Sequence, residues 1–263
     1  MTVIEFDAKT HAGLVRDHNE DQIFGSGDSR LWMVVDGMGG HACGEVASEI
    51  VVRKLSDSYT QGESLASSIE LAHTAVTQEA EKNTKAQGMG ATVVVMTSKD
   101  NRYDIAWVGD SRAYRLRGES LELLTRDHSY LEWLKDNGIT IEEAREHPRR
   151  NVVTQSVGVG EPKPDYITGR FQSGDRYLLC SDGLNDELSD DEICVALCSA
   201  GSSACVTQAL IDAALDKGGR DNVSVVVVDI DPLCRNRLFY FKWWCYLKGR
   251  FKSKMKNKVS TGR

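Results

Sequence analysis

The chain has 263 residues, enough for one large domain or two small ones, and its formal charge of −7 hides a split. The 31 residues from Leu233 to Arg263 hold ten of the 32 basic residues and no acid, so the body before them sets 22 cations against 39 anions. Such a body repels a phosphate backbone and is a poor nucleic-acid binder. No apolar run of about 18 residues is present to cross a membrane, and the polar alternation of Met1–Lys9 does not read as a secretory leader.

In chain order, the first feature is a polar stretch, Arg16-Asp17-His18-Asn19-Glu20-Asp21. The apolar run Leu31–Val35 follows and predicts a strand buried on both faces; it ends in Asp36-Gly37-Met38-Gly39-Gly40. Val46, Ala47, Ile50, Val51 and Leu55 form the stripe of one helix, and Ile69, Ala72, Val76 and Ala80 that of a second. A second buried strand is predicted at Ala91–Thr97. Tyr103–Val108, Ala113–Arg117 and Ser120–Leu124 read as a strand meander with a turn at Gly118-Glu119.

From His128 to Gly160 the chain is polar and helical, with a capping box at Thr140–Glu143, and reads as an excursion from the scaffold. Tyr177–Cys180 is a third buried strand, ending at Asp182-Gly183. Ser189–Glu192 is a second capping box, ahead of Ile193, Val195 and Leu197. Asp221-Asn222 precedes the last buried strand, Val223–Ile230. The seven cysteines are odd in number and irregular in spacing. Cys180 reads as core, and Cys194, Cys198 and Cys205 lie on predicted helices without a histidine pattern, so reduced structural thiols in a cytosol are expected.

Strands and helices come in blocks, and the strands need cover on both faces. The expectation is an α+β fold: a four-layer α-β-β-α sandwich, two antiparallel sheets flanked by helices. Its acids are unusually placed. Glu20, Asp21, Asp36, Asp110, Asp182 and Asp221 all stand at a strand edge or a glycine-containing turn. Any one Asp-Gly is more often a plain turn. Several acids ending buried strands of one scaffold can converge, and at an effective dielectric near 20 each pair of carboxylates at 4 Å costs about 4 kcal/mol. Such a cluster calls for divalent cations, and oxygen-only ligands favour magnesium or manganese. A layered domain with ordinary turns, another two-metal hydrolase such as a nuclease, and a scaffold that binds phosphoproteins without catalysis are the competing readings. The acidic body argues against the nuclease, and the full acid set against the scaffold.

Six pieces, in order, resemble the bacterial type of the protein phosphatase 2C family: Arg16-Asp17-His18-Asn19-Glu20-Asp21, Val35-Asp36-Gly37-Met38-Gly39-Gly40-His41, Gly88-Met89-Gly90-Ala91-Thr92, Val108-Gly109-Asp110-Ser111-Arg112, Ser181-Asp182-Gly183-Leu184 and Arg220-Asp221-Asn222-Val223-Ser224. The resemblance implies a metal-dependent serine/threonine phosphatase domain over residues 1–231, with a flap at about 128–160 and a separate tail at 232–263. It implies two Mn2+ or Mg2+ ions, with Asp36 bridging them, Asp182 and Asp221 on the first, and Glu20 and the Gly37 carbonyl on the second. Asp21 would orient metal-bound water, Arg16 would grip the phosphate, and Asp110 with Asp182 would support a third, weaker ion.

The implied partners are phosphoprotein substrates and an opposing serine/threonine kinase, for a monomer in the cytoplasm. One departure stands out: Met38 occupies the place where some members carry a histidine as candidate general acid. His41 nearby reads as a loop or helix-start residue, and water on the third ion is the alternative acid. The tail joins its ten basic residues to seven of the 19 aromatics, which suits an anionic membrane surface at the inner face of the membrane or an acidic partner.

Overall fold

The computed structural model describes residues 2–39, 43–82, 86–149, 152–199 and 201–232. Expectations for Gly40, His41 and the tail from Leu233 lie outside the described residues. Ten strands form two antiparallel five-stranded sheets. The first contains β2 (Asp21–Ser26), β3 (Leu31–Met38), β4 (Gly90–Lys99), β5 (Arg102–Val108) and β8 (Asp165–Arg170), side by side in that order. The second runs β1 (Ile4–His11), β10 (Val223–Ile230), β9 (Arg176–Cys180), β6 (Arg112–Arg117) and β7 (Ser120–Leu123). The first strand of the chain therefore pairs with the last, Ile4 opposite Ile230 and His11 opposite Val223.

The continuous apolar runs have a physical account in the layers. Alternate residues of a strand point to opposite faces. Leu31, Met33, Val35, Val93 and Val95 meet α1 (Cys43–Thr60) and α2 (Leu65–Lys82) on the outside of the first sheet. Their neighbours Trp32, Val34, Val94 and Met96 face inward to Leu179, Val226 and Val228 of the second sheet. Cys180, Leu178, Val225 and Val227 turn outward to α6 (Asp190–Cys198) and α7 (Ser203–Asp216). This is the expected α-β-β-α sandwich. Both capping boxes are present: Ser189 with Glu192 opens α6, and Thr140 with Glu143 opens the short α4 (Ile141–Glu146), which follows α3 (Tyr130–Asp136).

Some expectations change. β5 and β6 do not form one meander. They lie in different sheets, and the chain crosses between them at Gly109-Asp110, where Gly109 takes φ +110°. Only β6 and β7 make the predicted hairpin. Val46 and Val195 stand out of their stripes on the exposed sides of α1 and α6. Asp36 lies inside β3, which continues to Met38, and Asp182 starts a short helix, α5 (Asp182–Asn185), with Ser181 as its N-cap residue. β1, β2 and β8 have no counterpart among the predicted strands. All three are edge strands, β1 and β2 mostly half-buried and β8 mostly exposed, so their sequences lack the uninterrupted apolar run of an inner strand.

Candidate metal centre

The acids of the sequence gather between the two sheets. Asp21 starts β2 directly opposite Asp36 of β3, so one rung of the ladder carries two carboxylates. Asp182 and Asp221 come from the second sheet, after β9 and before β10, and Asp110 from the crossing after β5. Burial lifts the Asp36 carboxyl well above the ordinary range, and the charges of Asp21, Asp182, Asp110 and Asp221 add to the lift. Asp182 is lifted by burial and then by Asp110, Asp186 and Asp221. Burial pushes Asp21 up to about 6. Asp110 rises to about 7, through burial and then the charge of Asp127. A protein gathers like charges against this cost where a cation is to be held.

The residues fit divalent ions in three further respects. Oδ1 of Asp21 and Oδ1 of Asp110 are buried without a hydrogen-bond partner, the state of an oxygen reserved for another ligand. Glu20 and Gly37 make a cradle. A Cβ placed on Gly44 would fall 2.6 Å from Glu20 Oε1 and 2.7 Å from the Gly37 carbonyl oxygen, so both oxygens converge where α1 begins. Every one of these donors is oxygen, as magnesium and manganese prefer. Among the described residues no three side chains yet share one coordination point. Asp221 is instead turned to Arg16, whose guanidinium donates to its Oδ2 at 2.6 Å. The same arginine lies within the fields of Glu20 and Asp182, so all eight candidate residues belong to one locality.

Several residues that received no role from the sequence hold this locality together. Asn222 accepts from the Glu20 N–H at 2.8 Å and donates to the carbonyls of Ala12 and His18 at 2.9 and 2.8 Å, tying the Arg16 loop to β10. Ser181 donates to Asp21 Oδ2 at 2.8 Å and accepts from the Ser224 N–H, linking the two sheets through one hydroxyl. Thr92 and Ser111 share a buried hydrogen bond of 2.7 Å beside Asp110. Each of them adjoins or lies within a quoted motif. The polar type at a buried position was the available signal.

Comparison with known proteins places the chain in a family. The family model described as protein phosphatase 2C matches residues 11–217. A Mycobacterium tuberculosis protein named serine/threonine protein phosphatase PstP is 39% identical over 235 residues, which cover 87% of this chain and 45% of the relative. The chain thus spans about half the length of that relative. Serine/threonine phosphatase stp of Listeria monocytogenes is 36% identical over 244 residues, 87% of this chain and 97% of its own length. Among solved structures, a PstP catalytic domain in complex with two manganese ions superposes with a TM-score of 0.79 at 35% identity, covering 88% of this chain and 99% of that one. With the matched model, the shared fold and the gathered carboxylates in agreement, the chain belongs to the protein phosphatase 2C family.

Proposed function

We propose that this protein is a metal-dependent serine/threonine protein phosphatase acting on phosphoproteins, in opposition to a serine/threonine kinase. The observation that carries the reading is the gathered set Asp21, Asp36, Asp110 and Asp182, the first and third buried and the other two half-buried, each with its carboxyl raised first by desolvation and then by neighbouring carboxylate charge. Asp36, Asp182 and Asp221 would hold one ion. Asp36, Glu20 and the Gly37 carbonyl would hold another, and Asp110 with Asp182 a weaker third. Bound Mn2+ or Mg2+ supplies the positive charge that activates a water and neutralises the phosphoryl oxygens.

The protein's own groups do the rest. Asp21, fixed by the Ser181 hydroxyl at 2.8 Å, keeps Oδ1 free to accept from and orient a water. Arg16, half-exposed on its loop, presents a planar fork that suits two phosphate oxygens. Residues 128–160, with α3 and α4, are the flap beside the substrate. No cysteine or serine nucleophile is required. Cys180 is buried in the core, and burial drives its thiol up to about 12, the opposite of a reactive cysteine.

The test is hydrolysis of a phosphothreonine peptide by the full chain with manganese. Activity is expected to vanish on chelation, and Asp182→Asn to lower turnover by orders of magnitude while the circular dichroism spectrum stays unchanged. Full activity in either condition would falsify the reading.

The basic, aromatic segment from Leu233 carries a second role in this proposal, attachment to an anionic membrane surface, each basic residue adding about 1 kcal/mol near the surface. No helix among the described residues is long and apolar enough to cross a membrane. The full chain is expected to co-sediment with anionic vesicles at low salt. A version ending at Asp231 is expected to remain in the supernatant with its phosphatase activity intact. Equal sedimentation of the two removes the membrane role, and loss of activity on truncation removes the tail's independence from catalysis.

A further inference from the structure

The segment between β7 and β8 is rooted in two places, and both roots end beside candidate ligand residues. At the first, the His128 N–H donates to the Gly109 carbonyl at 2.8 Å, and the Gly109 N–H donates back to His128 Nδ1 at 3.2 Å. The imidazole stacks on Trp107, and its Nε2 lies 3.2 Å from Asp165 Oδ2. Gly109 is the residue before Asp110. At the second root, Val157 and Ala91 exchange two backbone hydrogen bonds of 2.8 and 2.9 Å. β5 pairs with β4 only as far as Val108 opposite Val93. Val157 thus takes the edge that β5 leaves. Across β4, Ala91 faces Gly37, the residue after Asp36.

What holds Val157 against Ala91 from outside is α2. The Gly158 N–H donates to His73 Nδ1 at 3.0 Å, and the Val76 side chain fills the space where a Cβ on Gly158 would stand. Gly158 takes φ +99°, so its conformation and its neighbour both require glycine. Thr77 reaches the Gly158 carbonyl only at 3.5 Å. His73 is therefore the main polar tie between the helix layer and this root, and it accepts through Nδ1 only while that nitrogen carries no proton.

We propose that His73 is a positioning residue for protein substrates: through Gly158 it clamps the second root and so fixes residues 128–160 over the phosphopeptide. The inference rests on the flap reading given above. A histidine that merely satisfies a loop N–H would contribute stability alone. The geometry adds a consequence, because the clamp holds the base of the segment against Ala91 of β4, next to Gly37 of β3, so that loosening it frees the segment while β3 and β4 keep their own pairing. With His73 truncated, α2 keeps its apolar contacts while the root loses its outer tie. Recognition of the peptide on either side of the phosphate then suffers, and attack on the phosphate itself does not.

The experiment compares a phosphothreonine peptide with p-nitrophenyl phosphate, which has no peptide to reach the flap, using the manganese-loaded full chain. His73→Ala is expected to raise KM for the peptide about tenfold, the fold-change of one lost hydrogen bond. Its kcat for p-nitrophenyl phosphate is expected to stay within about twofold. His73→Asn can place its amide oxygen where Nδ1 stands and is expected to recover most of the peptide affinity. His73→Gln, which shifts the acceptor, is expected to behave as His73→Ala, and it replaces that variant if the latter unfolds. Equal losses on both substrates, no loss on either, or a folded Asn variant that recovers nothing would each overturn the proposal. A wild-type chain that cleaves neither substrate instead refutes the phosphatase reading itself.

Discussion

Arg16 and Asp221 are paired at 2.6 Å, yet their side chains are 53% and 37% exposed. An ion pair so open to water contributes about 0–1 kcal/mol. That is small beside the attraction of a divalent ion for a carboxylate, so Arg16 is a weak placeholder on Asp221. Two opposite effects are then expected of Arg16→Ala. Manganese binding, followed by isothermal titration, tightens by up to about fivefold, the equivalent of roughly 1 kcal/mol, because Asp221 no longer has a competitor. The KM for a phosphopeptide rises more than kcat falls, because phosphate gripping is present in ground and transition states alike. Weaker manganese binding in the variant contradicts the first effect, and a fall in kcat at constant KM contradicts the second. The candidate acids stood out in the sequence because each sits at a strand edge or a glycine-containing turn, whereas Arg16 entered only through the family resemblance. Arg16 lying on Asp221 was not legible. That contact joins positions 205 residues apart, and no local pattern encodes it.

At the scale of elements, the crossing from β5 to β6 places Asp110, and Gly109 makes the crossing possible. Its φ of +110° is a conformation other residues adopt at a cost of about 1–3 kcal/mol, and a Cβ there would strike Thr92, which is bonded to Ser111. Gly109→Ala is expected to lower unfolding free energy by at least that amount in a urea titration. It is also expected to reduce activity at limiting manganese more than at saturating manganese, since Asp110 moves with the crossing. Unchanged stability would mean that the turn relaxes without loss. The inner strands β3, β4, β9 and β10 were readable because burial on both faces leaves an unbroken apolar run. The edges β1, β2 and β8 were not, because a half-buried or exposed strand mixes polar and apolar residues without a clear period. The assignment of β5 and β6 to one meander failed for a related reason. Both have strand composition, and composition does not say which sheet a strand joins.

For the whole molecule, the gathered acids set the response to pH. Asp21 and Asp110 are raised from 3.8 to about 6 and about 7, and Asp36 and Asp182 are raised as well. A carboxyl whose folded pKa lies above its unfolded value binds protons more tightly in the folded state. Stability is then full below about pH 4 as far as these groups are concerned, and it falls as pH rises toward 7, by about 1.4 kcal/mol per group and pKa unit. With chelator, the melting temperature is expected to drop over that window. Manganese at a hundredfold excess over its dissociation constant is expected to return about 2.7 kcal/mol at pH 7, and much less at pH 4.5, where protons compete. A melting temperature that rises through the window under chelator contradicts this account. The pairing of β1 with β10 has a consequence in time. β1 has its only sheet neighbour, among the described residues, in Val223–Ile230, far along the chain. At about 5–20 residues per second, its edge waits roughly ten to forty seconds for a partner. Until then the nascent chain carries an open strand edge, an aggregation hazard, and neither Asp221 nor Asn222 exists to complete the centre. β1 must therefore be kept soluble until Val223–Ile230 is made, and a chain cut short before Asp221 lacks two residues of the candidate centre.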